Sequence, residues 1–265
     1  MEFKEIAIKE IISSPQNPKI QLARSLLTQP SAIRTEKAFV AEGVRLVEEG
    51  IKQNYPAQFI LYSDQLSERG MDLIRSLPSS CETYQVDADL LNKISGTETS
   101  QGILAVFDLK TIPLPPDPDF LVIADGIRDP GNLGTLLRTS EASGAQGVLL
   151  SPGTTQAFAP KVVRAGMGAH FRLPILACSW DEITQICSDL TIFNADMQGI
   201  VPCWQADFKQ PLAILIGSEA EGSGEQARNI SAQSVSIPMP GRSESLNAGL
   251  AGAILIFEVV RQRYS

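Results

Sequence analysis

Apolar and polar positions in this 265-residue chain follow two different rhythms. Up to about residue 110 the pattern is mixed. Asn17 and Pro18 stand where a helix begins, asparagine as cap and proline at the first helical position. Ile20, Ala23, Leu26 and Leu27 then recur at helical spacing. Phe39-Val40 predicts a short strand, Glu42 to Glu49 a helix, and Gln58 to Tyr62 and Gly102 to Phe107 two more strands.

From residue 120 onward strand and helix alternate more regularly. Phe120–Ala124, Gly147–Leu150, Thr191–Ala195, Leu212–Ile216 and Val235–Ile237 are strand candidates, several of them continuous apolar runs. Such runs suit a parallel sheet covered on both faces. Asn132–Ser143, Asp181–Asp189 and Ser245–Gln262 read as helices. The predicted class is α/β with crossover connections. Ligands of such sheets sit beyond the carboxyl ends of the strands, so informative residues belong just after them.

Between the two rhythms lies Lys110–Asp119, KTIPLPPDPD. Its prolines forbid a helix and suit a semi-rigid extended connection. The expected division is a first domain over 1–109, a linker over 110–119 and a second domain over 120–265.

Composition narrows the function. Lys and Arg number 22 against 30 Asp and Glu, a net charge of −8. A protein that held nucleic acid by bulk charge would be basic. Binding of that kind must come from a local patch here, and residues 1–45 carry seven Lys/Arg against five Glu. The four cysteines form no C-x-x-C pair, and the single histidine, His170, has no ligand-spaced neighbours, so no metal is expected. No signal-peptide core or membrane-length apolar run is present, and widely spaced cysteines suit a reduced, cytoplasmic setting.

Three segments could carry chemistry. The first, Asp125 to Arg138, opens a helix whose core face is Leu133, Leu136 and Leu137. Asn132 is placed at the helix start, where free N–H groups favour an anion. Arg138 is expected to lean back over Gly134 on an exposed face, offering a planar set of donors to a phosphate. The second, Ile216 to Gly224, is a glycine-rich turn after an apolar strand. It lacks the lysine of a phosphate loop and the G-x-G-x-x-G of a dinucleotide fold, which disfavours a dinucleotide-dependent enzyme. The acids Glu219 and Glu221 on it suit acid/base work or simple solvation. The third, Ile237 to Asn247, runs into the last helix with Ser245 as expected cap. That helix is uncharged from Ala248 to Phe257 and rich in small residues, which suits packing on the sheet and against a partner subunit. Alone, each segment also fits an ordinary turn or a buried helix.

Together they resemble the three motifs of the SPOUT-class RNA methyltransferases of the SpoU/TrmH branch. Asn132, Gly134 and Arg138 match N-x-G-x-x-x-R. Gly217, Glu219 and Gly222 match G-x-E-x-x-G. Ile237, Pro238, Met239, Ser245, Leu246 and Asn247 match the third. Asn17-Pro18-Lys19 and Phe39 to Val47 are similar to the small, ribosomal-protein-like RNA-binding domain that precedes many of these enzymes. The resemblance implies a C-terminal parallel-sheet domain tied in a deep trefoil knot, S-adenosylmethionine as cofactor, no metal, and a homodimer with its site near the subunit interface. It further implies that Gly217, Ile237, Met239 and Leu246 contact the cofactor. Asn132, Arg138, Glu219, Ser245 and Asn247 would shape the reaction site.

The implied reaction is methylation of a ribose 2′-hydroxyl, with 23S ribosomal RNA first as substrate and transfer RNA second; a catalytically silent RNA-binding relative is the other alternative. Arg138 stays protonated and is no free base. Its expected part is to hold the adjacent phosphate and stabilise charge growing on the ribose oxygen. The phosphate, a water and Glu219 all remain open as proton acceptor. Gly166 stands where relatives often carry serine, and Ala248-Gly-Leu follows Asn247 where they often read Val-Ser-Val.

Overall fold

The computed structural model describes residues 11–96, 100–219, 222–242 and 245–264. It resolves into two units, residues 1–110 with 158–164, and residues 111–157 with 165–265.

The first unit contains α1 (Pro18–Thr28), α2 (Pro30–Thr35), β1 (Ala38–Glu42), α3 (Val44–Lys52), β2 (Ala57–Tyr62), α4 (Glu68–Ser76), β3 (Thr83–Gln85), α5 (Ala88–Ile94) and β4 (Ile103–Asp108). Asn17 does cap α1, accepting from the Lys19 N–H at 2.9 Å. The sheet runs β1-β4-β2-β3, with β1 and β2 antiparallel to β4 and β3 parallel to β2. Alternate strand residues serve opposite faces. Ala38, Val40, Phe59, Leu61, Leu104 and Val106 meet α1, α2 and α5 through Ile20, Ala23, Ile33 and Leu91. The intervening Phe39 and Phe107 stack at 5.9 Å with the Tyr55 ring edge-on to both. The helix expected at Glu42 begins at Val44 instead. Glu42 ends β1, and Gly43, at φ 98°, makes the turn that most residues resist. Residues 158–164 join this unit through Phe158 against Phe39 and Arg164 beside Glu42 at 3.6 Å.

The second unit contains β5 (Phe120–Ala124), α6 (Pro130–Ala142), β6 (Gly147–Leu150), β7 (Ile175–Ala177), α8 (Trp180–Ile186), β8 (Thr191–Ala195), β9 (Val201–Pro202), β10 (Leu212–Ile216), α9 (Glu225–Ile230), β11 (Gln233–Ser236) and α10 (Ala248–Arg263); the short helix α7 (Pro160–Gly166) lies on the crossover before β7. Its seven strands are ordered β7-β6-β5-β10-β8-β11-β9, and every pairing is parallel. This is the α/β class read from the sequence. Leu121, Ile123, Leu149, Ala213 and Leu215 pack on α8 and α9 through Ile183, Cys187 and Ala227. The opposite face carries α6 and α10, which lie against each other. Residues 110–119 form neither helix nor strand, in keeping with their prolines.

Three local expectations change. The helix expected from Asn132 begins at Pro130 instead, capped by Asp129, which accepts from the Asn132 N–H at 2.8 Å. Asn247, not Ser245, caps α10 by accepting from Leu250 N–H at 3.1 Å. The small residues of α10 are also used within the chain. A Cβ on Gly252 would sit 2.5 Å from Leu136 Cδ1, and one on Gly249 3.1 Å from Thr135 Cβ, so both glycines exist to let α6 approach. The exposed side of α10 carries Leu250, Ile254 and Phe257 instead.

Candidate functional site

A cavity of about 400 Å³ opens at the carboxyl ends of β8, β10 and β11. That is where an open parallel sheet places its ligand, and the size suits a small molecule. Gly217, Glu219, Ile237, Met239, Ser245 and Leu246 all line it. Thus six of the nine residues singled out in the sequence surround one space. Asn132, Arg138 and Asn247 do not line it.

Asn132 and Asn247 close on the cavity by bonding to its wall. Asn132 is buried on the first turn of α6, and its Nδ2 donates to Glu219 Oε1. The same Glu219 oxygen accepts from the Ala248 N–H at 3.2 Å. Asn247 Nδ2 donates to Asn132 Oδ1 at 2.6 Å while its own Oδ1 caps α10. A carboxylate beside a helix N-terminus meets the positive end of the helix dipole. One glutamate and two asparagines therefore bind the three motif segments into a single assembly.

Ser245 is exposed at the cavity and makes no hydrogen bond among the described residues. Arg138 is likewise exposed on α6, with no hydrogen bond or ion pair among the described residues. Its guanidinium is available to an incoming anion. The expected pairing with an exposed Gly134 fails, because Gly134 is buried. A Cβ on Gly166 would lie 3.9 Å from the Gly134 carbonyl, so the segment ending α7 covers that turn. Glu221 lies outside the described residues, as do Ser243 and Glu244 of the third segment.

Gly217 is required by its surroundings. A Cβ there would meet the Gly222 carbonyl carbon at 2.4 Å. Ser218 and Gly222 exchange backbone bonds of 3.0 and 2.9 Å, closing the turn over Gly217. The sequence reading missed the loop after β8, where Ala195, Asp196, Met197 and Gln198 line the cavity, and Arg228 of α9. Their one signal was position after a strand. His170 is buried, bonded to the Ala157 carbonyl at 2.8 Å, and burial pulls its pKa down to about 4. It is a neutral core group, not a site residue.

S-adenosylmethionine suits this lining. Ile237, Met239, Leu246, Ala251 and Leu255 offer apolar surface for a purine, while Asp196 and Glu219 offer carboxylates to a cation. Among the described residues no cluster of His, Cys, Asp and Glu could hold a metal, and no helix is long and apolar enough to cross a membrane.

An open parallel sheet, a cavity beyond its strand ends and three bonded motif segments around it make this an α/β protein that takes a small ligand at its strand ends. Residues 119–257 match the SpoU rRNA Methylase family model, and residues 17–105 match the MRM3-like substrate binding domain. The chain is 30% identical over 256 residues to the 23S rRNA guanosine 2′-O-methyltransferase RlmP of Bacillus subtilis, covering 94% of this chain and 98% of that one. It is 29% identical to a 23S rRNA uridine 2′-O-methyltransferase of Streptomyces viridochromogenes, covering 94% and 92%. The crystal structure of the SpoU methyltransferase AviRb from that organism, in complex with AdoMet, superposes with a TM-score of 0.86 at 28% identity, covering 94% of this chain and 99% of that one. The protein belongs to the SpoU methylase family. As a member it is an S-adenosylmethionine-dependent RNA methyltransferase with the SPOUT fold.

Proposed function

We propose that this protein methylates a ribose 2′-hydroxyl of 23S ribosomal RNA in the cytoplasm. In this reading residues 1–109 bind the RNA, 110–119 link, and 120–265 form the catalytic domain, tied in a trefoil knot. The observation that carries the reading is the bonding of Glu219, Asn132 and Asn247 across three segments around one cavity. Two relatives that span nearly all of the chain are named as 23S rRNA 2′-O-methyltransferases, which favours ribosomal over transfer RNA.

When bound, S-adenosylmethionine supplies an activated methyl group on a sulfonium. Gly217, Ile237, Met239 and Leu246 line the cavity and would hold it. Ser245 presents a hydroxyl to the sugar. Arg138 binds the neighbouring phosphate and stabilises negative charge as the ribose oxygen forms. Glu219 uses Oε1 to brace Asn132 and the start of α10. Its first role is bracing; the proton passes to phosphate or water.

The protein acts as a homodimer in this reading. Leu250, Ile254 and Phe257 make an apolar stripe along α10, 54%, 43% and 49% exposed. A stripe of this kind marks an interaction surface. Light scattering should return twice the chain mass, and Ile254→Glu should return one. The function is tested by calorimetric titration with S-adenosylmethionine, followed by mapping of 2′-O-methyl positions in ribosomal RNA with and without the gene. Unchanged ribosomal RNA methylation would refute it, and a lost methyl on transfer RNA would transfer the reading to that substrate.

A further inference from the structure

Beyond the motif residues, one buried carboxylate touches neither the cavity nor any group that reacts. Asp125 follows β5 and is 7% exposed. Its Oδ1 accepts from Ser151 Oγ at 2.7 Å, and its Oδ2 accepts from the Gly224 N–H at 2.7 Å. Ser151 follows β6, and its Oγ in turn accepts from the Gly126 N–H at 3.2 Å. Gly224 closes the loop that began at Gly217. Asp125 therefore ties the ends of β5 and β6 to the far leg of the loop after β10. A second tie lies next to it: Ser223 Oγ donates to Asn194 Oδ1 at 2.5 Å, and Asn194 is buried on β8. Arg228, from α9, adds a third by donating to the Ser223 carbonyl.

All three ties fall on Ser223 and Gly224, the far leg of the loop whose near leg carries Gly217 and Glu219. The near leg has its own closure, the paired Ser218 and Gly222 bonds. The near end is fixed by β10. The far end runs into α9, where the Gly224 carbonyl accepts from the Arg228 N–H at 3.0 Å, and these side chains set where Ser223 and Gly224 enter that helix. A buried carboxyl oxygen that loses its donor is left unsatisfied, which costs more than the bond itself contributes.

We propose that Asp125, seconded by Asn194, is a positioning residue that holds Ser223 and Gly224, the far leg beside the cavity, where the methyl donor is received. It rests on the reading of the cavity as the S-adenosylmethionine site. That leg is then preformed, and the donor meets a smaller cost of ordering it. Asp125→Asn keeps the shape and the Ser151 bond but turns an amide toward the Gly224 N–H. Ser223→Ala removes the second tie without touching the first.

The test is calorimetric titration of S-adenosylmethionine into the wild-type chain and both variants, with KM and kcat for the donor measured on ribosomal RNA. Asp125→Asn should bind the donor about ten-fold more weakly, and Ser223→Ala about three-fold. KM for the donor should rise accordingly, while kcat at saturating donor and the affinity for RNA stay near wild type. A merely structural residue would lower the melting temperature and leave the KM of the folded protein alone. Wild-type donor affinity in Asp125→Asn overturns the proposal. Should that variant not fold, wild-type affinity in Ser223→Ala overturns it and weakened affinity sustains it. A wild-type chain that binds no S-adenosylmethionine refutes the cofactor reading itself, a separate result.

Discussion

Asn247 faces two ways: its Oδ1 caps α10 at Leu250, and its Nδ2 holds Asn132 Oδ1 at 2.6 Å. The two jobs separate by substitution. Asn247→Asp keeps an acceptor for the cap but sets a carboxylate against the Asn132 carbonyl oxygen. It should keep its melting temperature within a few degrees and lose methyl transfer about ten-fold or more, a cost of about 1.5 kcal/mol in the bond. Asn247→Ala loses the cap too, about 1 kcal/mol of stability. Thermal melts paired with single-turnover assays check both.

Glu219 gives a sharper discrimination. If it braces, Glu219→Gln retains an acceptor for Asn132 and Ala248 and should keep methyl transfer within about ten-fold, whereas Glu219→Ala should lose about 100-fold. Equal, severe losses in both variants would point to proton removal by the carboxylate instead. A pH–rate profile of Glu219→Gln supplies the second readout, since a lost base takes its limb of the profile with it.

Arg138 should matter to chemistry and hardly at all to folding. It is exposed and has no partner among the described residues, so Arg138→Ala should shift stability by no more than about 0.5 kcal/mol. Loss of a charge-stabilising donor typically costs about 100- to 1,000-fold in rate. Donor affinity by calorimetry should stay at the wild-type value, because the guanidinium does not line the cavity.

Gly217→Ala tests the turn. The added methyl meets backbone at 2.4 Å, which no rotamer relieves. A cost of about 1–3 kcal/mol is expected, spent on displacing the turn, together with loss of donor binding. Gly224 has only the Asp125 carboxylate near its virtual Cβ, at 3.5 Å, so Gly224→Ala should be far milder in the same assay.

His170 sets part of the acid limit. Its pKa near 4 in the folded chain lies below the ordinary value of 6.5 because burial disfavours the charged ring. Between those values the unfolded chain binds the proton and the folded one does not. Stability is thus fully present above pH 6.5 and falls as pH drops toward 4, by about 3 kcal/mol from this group. Urea midpoints across that range should show the slope, and His170→Gln should flatten it.

The sequence carried the strands and helices of the second unit well, because continuous apolar runs and helical stripes are local patterns. It also carried the motif residues as types in order. What it did not carry were the partners. Asn132 and Asn247 lie 115 positions apart, and Asp125 and Gly224 lie 99 apart. No periodicity links such pairs; only the sheet order brings them together. The misplaced cap of α10 and the early start of α6 have a similar cause. Asp129, Ser245 and Asn247 are all competent cap residues, and the choice among them is made by where Pro130 starts one helix and where Glu219 receives the other. The small α10 residues did not separate packing within the chain from packing between chains, because both demand the same glycines. Short pieces such as β3, β7, β9 and α9 are too brief for any period to register.

The donor turn is suspended from β10, which is bonded to β5 on one side and β8 on the other and is buried throughout. Amides of such a strand exchange with deuterium only when the whole domain opens. The reactive geometry is therefore anchored in the slowest-breathing part of the molecule, and heat should abolish methylation together with the fold rather than ahead of it.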